Sequence, residues 1–156
     1  MVTVKLKDGG DMYHNGQEGT VSFTLKQLHE IYIYNKACDE FLEWTKREYY
    51  IKGQGRTTAY NKSVNGASNS SHLKCLARDT YYKGVTFDKD RVIKWGKKWK
   101  SICEKYGMVG EFGYYPYYTY EGCKGMIHIG GFITYSKSFY NWMTDGSGQH
   151  NMYFDI

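Results

Sequence analysis

The chain has 156 residues, with 21 Lys and Arg against 16 Asp and Glu, a formal charge of +5, and 18% aromatic residues. This length suits one domain, residues 1–156, and the aromatic content excludes disorder of the whole chain, because it supplies enough apolar area to offset chain entropy. No run approaches the roughly 18 apolar residues of a membrane-spanning helix. The amino terminus lacks the design of a secretory signal, so we expect a protein that is cytoplasmic as synthesised, with no membrane insertion.

The four cysteines lie far apart, and no C-x-x-C pair is present. A disulfide framework is not needed at this size, so we expect free thiols. The modest basic charge is compatible with anionic partners such as nucleic acid or cell-wall polymer, but it does not choose between them.

Two helices are predicted from the spacing of apolar residues. Over residues 22–49 such residues recur every three or four positions, as one long or two short helices, and Thr24 is a suitable N-cap. Over residues 88–106 an apolar stripe lies opposite a row of lysines, and Gly107 is a natural stop. The lysine row is typical of a solvated helix face.

Short stretches rich in aromatic and β-branched residues predict strands at residues 48–51, 84–87, 110–115 and 125–135. The expected fold class is α+β, a small, mainly antiparallel sheet with helices packed on it. Between residues 53 and 71, Gly, Ser, Asn and Thr dominate, a composition that is also typical of a flexible linker.

Two histidines and an aspartate form the first candidate for a site. His72 ends the polar segment, and Asp79 follows seven residues later. His128 lies in a predicted strand, where it points away from Ile127 and Ile129, so it faces a cleft if these isoleucines face the core. Two imidazoles and one carboxylate are a common ligand set for a catalytic zinc. The spacing alone is a weak signal, because short motifs match often by chance.

The surrounding residues add a pattern to this spacing. In chain order the segment contains Arg56, Asn61, Gly66, Ala67, Ser70, His72, Ala77 and Asp79, and Phe112, Gly113, Tyr114, Tyr115 and Pro116 precede His128. This arrangement resembles the signature of the D-alanyl-D-alanine carboxypeptidase-like zinc peptidases, which share their fold with the hedgehog signalling domain. The resemblance covers residues 55–134, within a signature region of 53–135, and the helix beginning at Phe23 fits the family's opening element.

The resemblance implies His72, Asp79 and His128 as ligands of Zn²⁺. It also implies a substrate-binding group beside the bound peptide, comprising Arg56, Ser70, Asn61, Tyr114 and Tyr115. An arginine there is able to hold a carboxylate with two hydrogen bonds. The implied reaction is attack of a zinc-activated water on an amide carbonyl. The polar segment would then be an ordered wall of the active site and not a linker.

The chain departs from the family pattern at several positions. The family glycine between the first His and the Asp is Cys75 here, which puts a side chain where the backbone is normally tight. Many members carry an acid two residues after the last His, and this chain has Gly130. Others carry a Glu three residues before that His or a second His two before it, where Gly125 and Met126 stand. The general base is therefore absent from its expected places.

A carboxylate is needed to take the proton of the water, and such a base typically contributes about 10² to 10⁴ in rate. Glu121 and Glu111 are the nearest candidates. Glu121 lies seven residues before His128, where a loop could fold it over the metal, and it is equally well explained as an exposed loop carboxylate.

These observations leave three hypotheses. The first is a zinc metallopeptidase that hydrolyses peptidoglycan stem peptides, of D,D- or L,D-type and either carboxypeptidase or endopeptidase, as in a phage lysin released to the cell wall at lysis or a wall-remodelling enzyme. The second is a catalytically inactive member of the fold that binds or sequesters a small ligand, peptide or protein partner, and the missing base and the tyrosines favour it. The third, nucleic-acid binding through the lysine row, rests on charge and aromatic content alone, so nucleic acid is an unfavoured partner.

Overall fold

The computed structural model describes residues 1–6, 19–133, 138–145, 150–152 and 154–156. Within these ranges the elements are β1 (Val2–Leu6), β2 (Gly19–Phe23), α1 (Leu25–Thr45), β3 (Tyr49–Gly53), α2 (Thr58–Ser63), a 3-10 helix (Ser71–Lys74), β4 (Ala77–Tyr82), α3 (Lys89–Lys105), β5 (Val109–Tyr120), β6 (Cys123–Phe132), β7 (Tyr140–Thr144) and β8 (His150–Met152). Over the same ranges, no helix has the length and apolar character needed to cross a membrane.

The strands form a small ribbon and one larger sheet. Strands β1 and β2 pair antiparallel, and the other six follow the order β3-β4-β6-β5-β7-β8. Neighbours in the larger sheet are antiparallel except β5 and β7, which are parallel. The α+β class is therefore confirmed, and the sheet is mixed where a mainly antiparallel one was expected.

Both predicted helices are present, with narrower limits. Thr24 caps α1, since its side chain accepts a hydrogen bond from the Gln27 amide and the Gln27 side chain accepts one from Thr24 in return, a capping box. The helix ends at Lys46, whose φ of 52° is left-handed, so it is one helix and not two. Helix α3 starts after the N-cap Asp88 and ends one residue before Tyr106, within a residue of the prediction at each end.

The strand predictions at residues 48–51, 110–115 and 125–135 correspond to β3, β5 and β6, although residues 134 and 135 lie outside the described ranges. The strand predicted at residues 84–87 is wrong, because Gly84 lies in a turn and residues 85–87 have no regular secondary structure before the N-cap Asp88 of α3. The true strand is β4, and every one of its residues is buried. A strand that is covered on both faces shows no alternation of polar and apolar residues, which is why its pattern was missed.

Helices α1 and α3 cover one face of the large sheet and build the main core with it. Phe41 of α1 meets Trp95 and Trp99 of α3 edge to face, with ring centroids 6.0 and 5.6 Å away. The Tyr34 hydroxyl donates a 2.7 Å hydrogen bond to the carbonyl of Ile129. Ile127 and Ile129 belong to this core, as predicted, so His128 points to the opposite face of the sheet.

Trp99 fixes the two central strands to α3. It is fully buried, and its Nε1 donates to the carbonyl oxygens of Glu111 and Gly130, both at 3.0 Å. These two residues are register partners on β5 and β6. The indole of Trp99 therefore bonds to both strands at the point where the opposite face of β5 carries the Glu111 side chain.

We expect Trp99→Phe to lower the free energy of unfolding by about 1 to 3 kcal/mol, because two buried carbonyl groups lose a donor and the core loses volume. Urea denaturation followed by circular dichroism measures this change. Trp44→Phe is the matched control, since Trp44 is only partly buried at the edge of the same aromatic cluster. An equal loss from both variants would contradict the special role of Trp99.

Candidate metal centre

One row of residues across four strands forms the base of the site. Asp79 on β4 is the register partner of His128 on β6, His128 is the partner of Gly113 on β5, and Gly113 is the partner of Trp142 on β7. Because partners in a sheet point to the same face, Asp79, His128 and Trp142 converge on the face away from the helices. The sequence separation of these residues is large, and the sheet order alone brings them together.

His72 joins this row from the 3-10 helix Ser71–Lys74, which precedes β4. Its Nε2 lies 3.2 Å from Asp79 Oδ2, and His128 Nδ1 lies 3.0 Å from Asp79 Oδ1. The three residues are buried, and one potential ligand atom from each lies within 4.8 Å of the others. The structure therefore brings together all three residues of the predicted ligand set, and this cluster could hold a metal ion.

The hydrogen bonding of His72 supports this fit. Its Nδ1 lies 2.6 Å from the carbonyl oxygen of Gln54, which can only accept, so Nδ1 carries the hydrogen. In the neutral ring Nε2 then presents a lone pair, and it is buried without a hydrogen-bond partner among the described residues. This lone pair faces a carboxylate oxygen of Asp79. Two acceptors that face each other in a buried site need a proton or a metal cation between them.

A second layer of polar side chains holds Gln54 in place. Arg78, which is 4% exposed, donates from Nε to Gln54 Oε1 at 3.0 Å and from its other nitrogens to Asn35 and Asp39 of α1. Gln54 Nε2 donates to Asn35 Oδ1 at 2.8 Å and to the carbonyl of Cys75 at 2.9 Å. This network links α1 to the carbonyl that orients His72, as supporting residues commonly do at metal sites.

The electrostatics favour an ionised carboxylate between two imidazoles. Burial raises the pKa of Asp79, but the nearby His72 and the hydrogen bond from His128 outweigh burial and hold this pKa well below its usual range. For His128, burial lowers the pKa, but hydrogen bonds to Asp79 and Glu111 raise it to about 9. In the metal-free protein His128 is therefore protonated at neutral pH and pairs with both carboxylates.

Glu111 occupies the place next to Gly130. These residues are register partners, and a Cβ atom at position 130 would come within 2.4 to 2.8 Å of the Glu111 carboxyl group. The family pattern has an acid at position 130, where this chain has none. The neighbouring strand supplies a carboxylate to the same space, and the missing side chain of Gly130 makes room for it.

The two oxygens of Glu111 have different surroundings. Oε1 lies 2.8 Å from His128 Nε2 and accepts a hydrogen bond from the hydroxyl of Ser71. Oε2 accepts none within the described part of the chain, and the side chain lines the cleft. Burial raises the pKa of Glu111, but the hydrogen bond from His128 outweighs it, so the net shift is downward and the group is ionised at neutral pH. Oε1 is thus anchored, and Oε2 keeps its capacity to accept a proton or a hydrogen bond.

Trp142 covers His128 from β7, with ring centroids 5.0 Å apart. Its indole lies directly over Gly113, where a Cβ atom would come within 2.4 to 2.7 Å of the ring, so only glycine fits there. Its Nε1 donates to the hydroxyl of Tyr115 at 3.1 Å. Neither β7 nor Trp142 was predicted from the sequence, because no motif marks them.

The centre opens into a cleft of about 1300 Å³, and the polar segment 53–71 forms one of its walls with α2 and the 3-10 helix. Of the predicted substrate-binding residues, Arg56, Ser70 and Tyr115 line this cleft. Arg56 donates to Asp79 Oδ2 and to Asn61 Oδ1, both at 3.3 Å. The polar segment is therefore ordered, as the resemblance implied.

Three predicted residues do not reach the cleft in the described structure. Asn61 is buried beneath the wall, where its amide donates to the carbonyl of Ala67 at 2.9 Å. Tyr114 points to the helix side of β5 and packs on Phe87, because it alternates with the residues that face the cleft. Glu121 lies in the tight turn that joins β5 to β6, and Cys123 after it is five residues from His128, about 16 Å along the strand.

Cys75 stands where the pattern that the chain resembles has a glycine. Its φ of 57° is left-handed, and it ends the 3-10 helix that carries His72. Its side chain is fully buried and packs in the main core. All four cysteines are free, as expected, and all four are buried.

Comparison of the chain with protein-family models, with curated proteins and with solved structures gave no match. The resemblance to zinc peptidases therefore stays a prediction.

We expect the purified protein to bind one equivalent of a divalent transition metal, and we expect His72→Ala to weaken this affinity at least 100-fold, because an imidazole ligand is lost. Competition titration with a chromogenic chelator measures the affinity. His29→Ala, at an exposed position on α1, is the matched control and should bind as the parent does. Equal affinity of the two variants would exclude this cluster as the metal site.

Proposed function

We propose that the protein is a zinc-dependent peptidase that hydrolyses short peptides of the peptidoglycan stem type, as a phage lysin or wall-remodelling enzyme would. The observation that carries the proposal is the buried cluster of His72, Asp79 and His128, with one bare imidazole nitrogen aimed into it and a second carboxylate beside it. The resemblance supplies the substrate class, and the geometry supports the chemistry.

Two nitrogen donors and one carboxylate oxygen suit zinc and leave a coordination position for water or substrate. When bound, zinc would polarise the scissile carbonyl and supply an activated water. The chain's own part is to fix the ligands. Gln54 orients His72, and Arg56 holds Asp79. Trp142 packs over His128 and reduces its contact with bulk water.

Glu111 is the group that we assign to proton transfer. Its ionised carboxylate lines the cleft, and Oε2 accepts no hydrogen bond within the described residues, so this oxygen can take the proton of the attacking water and return it to the leaving amine. The contacts of Oε1 with His128 and Ser71 keep the carboxylate in one orientation during both transfers. Glu111 thus supplies the carboxylate that is absent at position 130.

The decisive experiment is digestion of purified peptidoglycan by the zinc-loaded protein, with products identified by mass spectrometry. We expect cleavage by the parent and none by His128→Ala. Glu111→Gln should lower kcat by about 10² to 10⁴ and keep the zinc content, because it removes a proton acceptor but no ligand. If the zinc affinity of Glu111→Gln falls 10-fold or more while kcat per bound zinc is unchanged, Glu111 only orients His128, and its assigned role is wrong.

A double variant that moves the carboxylate from β5 to the neighbouring position on β6 tests whether its position in the site is what matters. Glu111→Ala alone should be inactive, and Glu111→Ala with Gly130→Asp should regain part of the activity, because the new carboxylate starts from the register partner on the same face. Glu111→Ala with Lys124→Asp is the control, since Lys124 is exposed near the far end of β6. Equal activity of the two double variants would contradict the assignment of this position.

One observation favours a second function, a binding protein without catalysis. The pKa of Glu111 is lowered by its hydrogen bond to His128, after burial has raised it, and a lowered pKa makes a carboxylate a weaker base. In that case the zinc-loaded protein leaves peptidoglycan fragments intact, and the same fragments raise its thermal midpoint by mass action.

A further inference from the structure

Two buried side-chain atoms in the described part of the chain have no hydrogen-bond partner there, Nε2 of His72 and the hydroxyl of Tyr81. Both residues line the same cleft. The bare nitrogen of His72 suits a metal ion, but Tyr81 does not belong to the metal cluster. A buried hydroxyl without a partner is costly, and a ligand that brings a partner recovers this cost.

Tyr81 lies on β4, two residues beyond Asp79 and on the same face of the sheet, a separation of about 7 Å. The register of β4 with β6 puts it beside Met126, and Met126 is the register partner of Tyr115 on β5. These three residues form the next row of the cleft floor after the row that contains Asp79 and His128. An extended peptide held at the metal centre therefore has a residue over this row, about two positions from the centre.

Tyr82, the next residue of β4, is a tyrosine whose hydroxyl the fold does satisfy. It is fully buried in the main core, and its hydroxyl forms a 2.8 Å hydrogen bond with that of Thr80. Tyr81 is just as deeply buried, but it lies on the cleft face. The two adjacent tyrosines thus differ by face, because the hydroxyl on the core side is paired and the one on the cleft side has no partner among the described residues.

The surroundings of Tyr81 indicate the kind of group that it would bind. Its hydroxyl carries one hydrogen to donate, which needs an acceptor. The acidic side chains among the described lining residues are Asp79 and Glu111, and both belong to the metal centre. At the Tyr81 end, the Nζ of Lys52 lies 5.4 Å from the ring centroid of Tyr120, and that ring lies 5.4 Å from the ring of Tyr81. A hydroxyl donor with a cation nearby suits an oxygen acceptor, either of an amide or of a carboxylate.

We propose that Tyr81 is a specificity-determining residue, and that its hydroxyl donates a hydrogen bond to an oxygen in a substrate side chain within about two residues of the scissile bond. This inference rests on the proposed peptidase function and names one chemical requirement of its substrate. Because the hydroxyl is buried, the side chain that bonds to it must enter the cleft to the level of the sheet. A substrate with an apolar side chain at this position leaves the hydroxyl unpaired and binds more weakly.

Thermal unfolding of two variants tests whether the fold itself satisfies this hydroxyl. Tyr81→Phe should unfold at the temperature of the parent or above, because it removes a buried hydroxyl that has no partner. Tyr82→Phe is the matched control, and its midpoint should fall by about 2 to 4 °C, because the bond to Thr80 is lost. Differential scanning calorimetry of the full chain without substrate measures both. An equal fall in both variants would show that the Tyr81 hydroxyl is bonded within the protein and would overturn the inference.

Substrate preference is the second test, with the zinc-loaded protein and a synthetic peptide that spans a bond cut in peptidoglycan. The two residues on each side of this bond are replaced in turn by Gln, Glu and Leu, which have similar size. At one of these positions the parent should show a kcat/KM about 10-fold or more higher for the Gln or the Glu peptide than for the Leu peptide. The better of Gln and Glu identifies the acceptor as an amide or a carboxylate.

Tyr81→Phe should lose this preference and cleave the Leu peptide as well as the parent does, whereas a damaged site would lose activity on every peptide. Tyr82→Phe should keep the preference, since its hydroxyl lies on the core side. The same ratios in the parent and in Tyr81→Phe at every position, or no preference in the parent, would overturn the inference while the peptidase function stands. No cleavage of any peptide by the parent would overturn the peptidase function, and the inference with it.

Discussion

Asp79 is a carboxylate in a buried place, and a buried charge is costly unless donors surround it. The fold meets this requirement with hydrogen bonds from His128 on the neighbouring strand and from Arg56 of the polar segment. The third neighbour, Nε2 of His72 on the 3-10 helix, completes the arrangement once a proton or a cation lies between it and the carboxylate. Each of these elements must be placed to within a hydrogen-bond length for the carboxylate to stay ionised. The order of the polar segment is thus a consequence of the charge that it helps to neutralise.

The two faces of the large sheet have different roles, one in the core and one in the cleft. On the helix side, Trp99 and Tyr34 bond to backbone carbonyls of the central strands, so the core holds the strands by hydrogen bonds as well as by apolar contact. On the other side, the same strands present Glu111 and His128. Because alternate residues of a strand share one rigid backbone, a shift of the core would move the site with it.

Sequence patterns were sufficient where the signal is local. The N-cap at Thr24, the apolar periodicity of α3 and the alternation around His128 depend on residues a few positions apart, and each was predicted. The three residues of the candidate metal-ligand set, His72, Asp79 and His128, were predicted through a resemblance and not through spacing alone. The features that could not be predicted from the sequence are those that depend on the order of the strands in the sheet. Tyr114 was assigned to the cleft because the face of β5 was unknown, and β7 with Trp142 has no neighbour in sequence that points to it.

Glu111 is a second example of a site residue that only the pairing of the strands identifies. From the chain alone it is one of two acidic residues near the last histidine, and nothing in a linear pattern chooses between them. The pairing of β5 with β6 puts Glu111 beside Gly130 and leaves Glu121 in the turn at the far end of the hairpin. The Glu111 carboxylate of β5 fills the volume that a side chain at position 130 of β6 would occupy. Such an exchange is visible only when the register is known.

Arg78 and Asp79 are neighbours on β4 and point to opposite faces of the sheet, so together they favour one register of β4 over its shift by one residue. Arg78 faces α1 and Asp79 faces the cleft, each among its own partners. A slip of β4 by one residue would turn the aspartate toward the aromatic core and the guanidinium toward the two imidazoles. Asp79 would then lose its donors His128 and Arg56, and Arg78 would lose its acceptors on α1 and on Gln54, at a cost of several kcal/mol for a buried ion without its partner. The two adjacent charges therefore act against misregistered pairing during folding, before any ion or substrate is present.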